Sequence, residues 1–165
     1  MAGLRCSALN KRETGDANVT NTPRPAELRS PGDEGAGKAA ARNRRQYVQI
    51  TPQGPFSDGV LVGNTFYLSG RIGLDASGKQ VPDDVKSEAR NVMNGIRLVL
   101  QKAGMQMDDL VYVQVFCPDV SLWERFNAIY CSYFNGKLPA RAFVGSGKLL
   151  FNARFEVQAI AVRAF

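Results

Sequence analysis

The sequence predicts an α+β domain, a mixed six-stranded sheet with two helices packed on one face. Two stretches, at residues 81–103 and 121–136, carry apolar residues at helical spacing. Short runs of β-branched and aromatic residues lie before, between and after these stretches and predict six strands. The segments follow one another in the order β-β-β-α-β-α-β-β, and two helices can cover only one face of such a sheet.

The first three strands are short and are separated by turns. Residues 47–50 predict a strand, and the Pro- and Gly-rich residues 51–55 predict the turn that follows it. Residues 59–62 and 65–70 are two strand-like runs on either side of a two-residue loop, Gly63-Asn64. A loop of this length and composition between two such runs predicts a β-hairpin.

Both helices carry start and stop signals. The first is expected to begin near Pro82, which suits a first helical turn, and Gly104 predicts its end. The second is expected to begin at Ser121, where Ser121 and Glu124 have the spacing of a capping box. Gly136 predicts the end of this second helix.

The remaining strands are predicted at residues 110–117, 141–146 and 154–162. Alternation along the first of them places Val111, Val113, Val115 and Cys117 on one face. The sheet face away from the helices would be partly apolar, which predicts burial against other subunits. The residues expected on that face are Tyr112, Gln114, Phe116, Glu156, Ile160 and Val162.

The positive charge of the chain belongs mainly to its N-terminal part. The whole chain has a formal net charge of +6, but residues 1–45 hold nine Lys/Arg and five Asp/Glu, a net +4. These residues have almost no aliphatic periodicity, so we expect a disordered N-terminal extension over 1–45 and a folded domain over 46–165. The domain is nearly neutral, which argues against nucleic acid as its partner.

The chain contains no histidine, which excludes Ser-His-Asp, Cys-His and His-metal chemistry. Its three cysteines show neither paired nor metal-ligand spacing, so no metal site is predicted, and an odd count is typical of a cytosolic protein. No apolar run approaches the roughly 20 residues that cross a bilayer. We therefore expect a cytoplasmic protein without a membrane partner.

Arg141 and Glu156 are the candidate functional residues. Arg141 follows Pro139-Ala140, and its planar guanidinium presents paired donors that match the two oxygens of a carboxylate. Glu156 stands in an otherwise apolar strand, where a carboxylate can hold or activate a water molecule. From the residues alone, Arg141 is also explained as a solvated surface residue and Glu156 as an exposed strand residue.

The order and the residues of these segments resemble the RidA/YjgF family of enamine/imine deaminases. The resemblance covers about residues 47–163 and leaves the N-terminal stretch outside. Each short motif is weak by itself, but their order and spacing over a whole domain are specific. The matching motifs are Gly54-Pro55-Phe56-Ser57, Val62-Gly63-Asn64, Ser69-Gly70-Arg71-Ile72, Glu88-Ala89-Arg90-Asn91, Ala103-Gly104, Val113-Gln114-Val115-Phe116, Phe126-Asn127-Ala128-Ile129-Tyr130, Pro139-Ala140-Arg141 and residues 156–162.

The resemblance implies a chorismate-mutase-like trimeric fold, with three clefts between neighbouring subunits of a homotrimer. It also implies a reaction, the hydrolysis of 2-aminoacrylate-type enamines and imines to 2-keto acids and ammonia. In this family, pyridoxal-phosphate dehydratases release these substrates, and the hydrolysis uses no metal or organic cofactor. The implied partners are therefore 2-imino or enamine carboxylates and further copies of the same chain.

Three residues match the family's catalytic positions. Arg141 matches the arginine that clamps the substrate carboxylate, and Glu156 matches the glutamate that positions or activates water. Ser69 matches a serine whose hydroxyl assists the placement of water or substrate. From the residues alone, Ser69 is equally explained as a strand-end serine hydrogen-bonded to its own turn.

Three further residues match substrate-binding positions. Gly70 and Asn127 fall at cleft-lining positions, although Asn127 by itself is also explained as an exposed helix residue. Phe56 stands where many members of the family have tyrosine, so its ring can line the cleft but the hydroxyl is lost. A neutral hydrogen bond contributes about 0.5–1.5 kcal/mol, so this difference should change the rate or the substrate range rather than abolish activity.

Two other function classes stay open at this point. RNA cleavage or translational inhibition is a label also attached to the family, but the near-neutral domain and the absence of histidine argue against it. The second class is a non-catalytic trimer that binds a small carboxylate metabolite, and Phe56 makes this class more credible.

Overall fold

The computed structural model describes residues 44–50 and 55–163. The extension predicted at 1–45 lies outside these residues except for Arg44 and Arg45, and most of the turn predicted at 51–55 also lies outside them. The elements are β1 (Arg45–Val48), β2 (Gly59–Val62), β3 (Thr65–Ile72), α1 (Val85–Lys102), β4 (Leu110–Cys117), α2 (Trp123–Tyr130), β5 (Ala140–Gly145) and β6 (Glu156–Val162).

The six strands form one sheet in the spatial order β1-β2-β3-β6-β4-β5. Strands β4 and β5 run parallel and the other neighbours run antiparallel, so the sheet is mixed. Alternate strand residues such as Phe66, Val115 and Val157 are buried in a core with the apolar stripes of the two helices. The predicted fold class, element order and one-sided helix layer are confirmed.

Glycines with positive φ lie at the β2–β3 hairpin turn and at the end of α1. Gly63 adopts φ 61 in the two-residue loop between β2 and β3, a conformation that costs glycine little. Gly104 adopts φ 69 directly after the C-cap of α1, as predicted. The predicted start of α1 is corrected, because the helix begins at Val85, after Pro82. Asp84 caps it by accepting a hydrogen bond from the Ser87 backbone N–H at 2.7 Å.

The predicted capping box at the second helix is wrong. Asp119 is the capping residue there, and it accepts from the Ser121 backbone N–H at 3.0 Å. This cap begins a short 3₁₀ turn, and α2 continues from that turn without a side-chain cap of its own. The α-helix ends at Tyr130 and passes into a second 3₁₀ turn, well before Gly136.

The alternation predicted for β4 holds for three of its four residues. Val113, Val115 and Cys117 are buried beneath the helices. Val111 is 45% exposed, because the pairing of β4 with β6 shifts register between Leu110 and Tyr112. Such an irregularity changes the face on which the next side chain lies, so the alternation misplaces Val111.

The sheet face away from the helices is partly apolar and partly exposed. Residue pairs across neighbouring strands place Tyr112 opposite Ile160, and Phe116 opposite Glu156, on this open face. Tyr67 lies opposite Ile160 on the other side and is 51% exposed. The six residues predicted for this face are all partly exposed or exposed, whereas the opposite face is buried.

A buried ion pair fixes the start of β6. The Glu88 carboxylate on α1 is fully buried and pairs with the Arg154 guanidinium. It also accepts the Arg154 backbone N–H at 2.7 Å and the Phe155 backbone N–H at 3.2 Å. Glu88 therefore ties the first turn of α1 to the residues just before Glu156. Within residues 44–50 and 55–163, the helices are too short or too polar to cross a membrane.

Candidate functional site

A cleft of about 700 Å³ lies beside the end of β3, between α1 and the turn at Leu150–Asn152 that precedes β6, which is called the corner below. Four of the predicted site residues line it: Phe56, Ser69, Gly70 and Glu156. Arg71, which was not predicted as a site residue, lines it too. The cleft that these five residues help to line is called the glutamate cleft below. The fold thus brings together Ser69 and Glu156, the two polar residues that are predicted to position or activate water.

Gly70 makes room for the Glu156 carboxylate. A Cβ atom built at Gly70 would overlap Glu156 Oε1, so the carboxylate lies directly across the glycine backbone. The β3–β6 pairing shifts register between Leu68 and Arg71, which places Gly70 in an irregular stretch of the ladder. Glycine at position 70 therefore leaves room for the carboxylate in this position, and a larger residue would displace the flexible end of the Glu156 side chain.

Ser69 is oriented by the loop before β2. Its hydroxyl donates to the Ser57 backbone carbonyl at 2.6 Å, and its backbone N–H donates to the Asp58 carbonyl at 3.0 Å. The alternative of a hydrogen bond to its own turn is not what the structure shows. Because the hydroxyl proton is already engaged, the oxygen is available to accept a hydrogen bond from water or substrate.

Arg71 brings a second charge to the cleft and is paired within the fold. Its guanidinium forms an ion pair with Asp58, which is 1% exposed. The same carboxylate accepts the Ile50 backbone N–H. The pair joins the end of β1 to β3. No sequence pattern predicts it, because its members face each other only across the folded sheet.

Arg141 lies elsewhere, on the helix side of the edge strand β5. It is opposite Val113 of β4, and its guanidinium carbon lies 4.6 Å from the ring centre of Trp123 and 4.4 Å from that of Tyr130. The guanidinium is therefore sandwiched between two aromatic rings of α2. Burial lowers the pKa of Arg141 and raises the pKa of Tyr130 to about 12, so the phenol stays protonated near neutral pH.

Asn127 belongs to the same place. Trp123, Asn127 and Tyr130 are spaced i, i+4 and i+7 on α2, so they share the helix face that Arg141 covers. Asn127 is 7% exposed, which rules out the alternative of an exposed helix residue. This spacing could have indicated the aromatic partners of Arg141 from the sequence. These four residues are called the arginine cluster below.

The arginine cluster holds polar atoms that lack partners. Asn127 Oδ1, the Tyr130 hydroxyl and Arg141 Nη1 are buried, and within the described part of the chain none of them has a hydrogen-bond partner. Leaving such groups unsatisfied costs about 1–3 kcal/mol each, more for a charged one. A ligand that offers both acceptors and a donor would satisfy all three.

The cleft and the cluster do not meet in one chain. Arg141 is aligned with Val113 of β4, whereas Glu156 is aligned with Phe116. Three residues along the strands and two strand spacings across them separate the two positions by about 10 Å in each direction. Arg141 and Glu156 also lie on opposite faces of the sheet. Among residues 44–50 and 55–163, no group of three or more His, Cys, Asp or Glu could hold a metal ion.

Known proteins share this sequence and fold. A mouse protein named 2-iminobutanoate/2-iminopropanoate deaminase is 39% identical over 111 residues, which span 67% of this chain and 82% of that protein. The crystal structure of the E. coli YjgF gene product matches with a TM-score of 0.65 and 31% identity, over 72% of this chain and 94% of that one. E. coli TdcF, whose structure contains bound serine, matches with a TM-score of 0.67 and 26% identity, over 72% of this chain and all of that one.

The family model described as Endoribonuclease L-PSP matches residues 47–163, the same span as the resemblance found in the motifs. This span covers all the elements from β2 to β6 and includes both the glutamate cleft and the arginine cluster. The chain belongs to the YjgF/RidA family, also called the endoribonuclease L-PSP family.

Proposed function

We propose that the protein hydrolyses enamine and imine carboxylates of the 2-aminoacrylate type to 2-keto acids and ammonia. The observation that carries the proposal is the half-buried Arg141 guanidinium, whose buried Nη1 has no hydrogen-bond partner among the described residues, beside two further polar atoms in the same condition. A substrate carboxylate supplies acceptors for such a group. The 39% identical mouse relative named as a deaminase of this kind supports the same chemistry.

The proposed site is formed between two subunits of a homotrimer. One chain holds Arg141 and Glu156 on opposite sheet faces, about 10 Å apart both along and across the strands. A neighbouring copy packed on the partly apolar open face would bring its arginine cluster against the glutamate cleft. The trimer, and the cytoplasmic location expected from the cysteine content, stay predictions that sedimentation and microscopy of a tagged chain would check.

The proposed mechanism uses water and no cofactor. An enamine first becomes an imine when a proton moves from nitrogen to the terminal carbon. Arg141 holds the carboxylate. A water molecule that donates a hydrogen bond to Glu156 and is hydrogen-bonded to Ser69 then adds its oxygen to the imine carbon. One water proton passes through Glu156 to the imine nitrogen, which gives the carbinolamine. Glu156 then carries the carbinolamine hydroxyl proton to the amino nitrogen, the carbon–nitrogen bond breaks as the carbonyl forms, and ammonia and a 2-keto acid leave. Orientation suffices, because imines already hydrolyse in water.

A second candidate is a non-catalytic trimer that binds a small carboxylate metabolite. The bound serine in the E. coli TdcF structure favours it, since serine carries a carboxylate. Ribonuclease activity has the family description in its favour, but the domain offers no histidine and little net positive charge. Both alternatives predict that imine lifetimes are unchanged by the protein.

The test couples the purified protein to a serine or threonine dehydratase and follows keto-acid formation. The parent chain should accelerate keto-acid release, and Arg141→Ala should lower kcat/KM by roughly 10- to 150-fold, the equivalent of 1.5–3 kcal/mol for a charge-assisted pair. Arg141→Lys is the matched control, because it keeps the charge and loses the planar fork. An Arg141→Ala variant as active as the parent would refute the carboxylate clamp.

A further inference from the structure

In the single chain, apolar side chains form one wall of the glutamate cleft and are exposed. Leu150 is 71% exposed, Phe151 is 57% exposed and Phe56 is 52% exposed, and all three line the cleft. Ile72 and Leu74, at the exit of β3, extend the same lining. Large apolar side chains usually gain by burial, so their grouping around one concave space indicates an apolar occupant.

The backbone that carries this wall is strained. Phe151 and Asn152 have φ values of 55 and 56, consecutive left-handed conformations at residues that are not glycine. Each costs on the order of 1–3 kcal/mol, and such strain tends to occur where a side chain is held for function. The Ala153 backbone N–H donates to the Leu150 carbonyl at 3.0 Å and closes the turn. The corner therefore holds Leu150 and Phe151 over the cleft rather than in the core.

In the single chain, the cleft is also larger than the smallest proposed substrate requires. A volume of about 700 Å³ lies within the range of roughly 300–1,000 Å³ that accommodates drug-sized ligands. 2-Aminoacrylate has only six heavy atoms and a side chain of one carbon. Such a molecule would leave the apolar wall uncovered, whereas a four-carbon or aromatic side chain would reach it.

We infer that this cleft selects 2-imino acids with large apolar side chains, such as those derived from leucine or phenylalanine, over those derived from alanine or serine. The inference rests on the proposed function and narrows its substrate class. The imine carbon lies beside Glu156, and the side chain is covered by Phe56, Leu150 and Phe151. The phenyl ring of Phe56 suits this role, because it adds apolar surface without a hydroxyl to desolvate.

The first experiment compares imines of different size in the same assay. An L-amino-acid oxidase generates each imine in place from alanine, leucine or phenylalanine, and semicarbazide traps the imine that remains. The leucine- and phenylalanine-derived imines should show kcat/KM values about tenfold higher than the alanine-derived imine, the effect of about 1.4 kcal/mol of apolar burial. Equal values, or a preference for the alanine-derived imine, would overturn the inference.

Matched variants then locate the selectivity. Phe151→Ala should lower kcat/KM for the phenylalanine-derived imine about tenfold and change that for the alanine-derived imine less than about twofold. Leu98→Ala is the control, because Leu98 is 43% exposed on α1 and lies outside the cleft lining. If Phe151→Ala slows all imines equally, or changes the sedimentation of the oligomer, the corner serves subunit contact and the inference is wrong.

Calorimetry separates failure of the inference from failure of the proposed function. The keto acid derived from leucine should bind the parent chain more tightly than pyruvate, and Phe151→Ala should abolish the difference. Selective binding without turnover of any imine would uphold the apolar selectivity and refute the deaminase function. Turnover of every imine without selectivity in rate or binding would uphold the deaminase function and refute the apolar selectivity.

Discussion

The glutamate cleft and the arginine cluster differ in whether their polar groups already have hydrogen-bond or ion-pair partners among the described residues. In the cleft, the polar groups near Glu156 already have partners, since Ser69 donates to the Ser57 carbonyl and Arg71 pairs with Asp58. In the cluster, Arg141 Nη1 and two neighbouring polar atoms are buried and unpartnered within the described residues. One region is an open cleft, and the other holds a half-buried cation whose Nη1 has no hydrogen-bond partner among the described residues.

The difference assigns different tasks to the two regions. A space whose polar groups are already oriented can hold water without rearrangement, which suits a hydrolytic step. A half-buried cation with a buried nitrogen that lacks a partner among the described residues gains hydrogen bonds when an anion binds, so it favours capture of a carboxylate. Because the two regions lie on opposite faces of one chain, the proposed reaction needs two chains.

The largest expected effect comes from mixing two inactive variants. Arg141→Ala and Glu156→Gln should each lose up to about a hundredfold in kcat/KM when assayed alone. When they are co-expressed in equal amounts, about a quarter of the clefts in randomly assembled trimers combine an intact arginine with an intact glutamate. The mixture should therefore regain about a quarter of the parental rate in the keto-acid assay.

Two controls make the mixing experiment decisive. Arg141→Ala removes a guanidinium stacked between two rings, so its melting temperature is measured first, and Arg141→Lys replaces it if the alanine variant is unstable. Co-expression of Arg141→Ala with the double variant that carries both changes should regain nothing. If the first mixture also regains nothing while each variant still assembles, the two residues do not act from neighbouring chains.

A smaller effect is expected at Gly70. Gly70→Ala would force the Glu156 carboxylate aside and should lower kcat about tenfold, since displacement of a reacting group by even 1 Å is costly. Gly147→Ala is the matched control, because a Cβ at Gly147 meets no described atom within 4 Å. Steady-state kinetics and a melting curve of both variants provide the comparison, and equal kcat values would show that Glu156 does not act in the reaction.

The sequence predicted the elements of this fold better than the places where they are irregular. Helical spacing and β-alternation identify the six strands and two helices because one face of each is buried. Val111 was misplaced because a register shift in β4 has no residue signature. The left-handed pair Phe151 and Asn152 was missed for a similar reason, since neither is the glycine that normally indicates such a conformation.

The site was predictable residue by residue but not as an arrangement. The motifs identified Arg141, Glu156, Ser69 and Gly70, yet only the strand register shows that the first lies on the other face of the sheet. The Glu88–Arg154 pair, which fixes the start of β6, joins residues 66 positions apart. Neither local propensity nor motif spacing contains that information.

The smallest expected effect is a pH dependence of the free energy of unfolding. It reports on the burial of the arginine cluster alone and not on the reaction. Burial raises the pKa of Tyr130 to about 12, above the usual value of 10.0. Between those two pH values the folded chain keeps a proton that the unfolded chain has lost. The free energy of unfolding must therefore fall as the pH rises through this window, and the contribution is fully present below pH 10.

Tyr130→Phe removes this titration. Relative to the variant, the parent should lose about 1 kcal/mol of unfolding free energy between pH 9 and pH 11 in urea titrations. Tyr67→Phe is the matched control for loss of a tyrosine hydroxyl, because Tyr67 lies opposite Ile160 on the open sheet face and outside the arginine cluster. Parallel pH profiles for the parent and Tyr130→Phe would mean that water reaches the cluster, and the unpartnered atoms would then no longer argue for a carboxylate ligand.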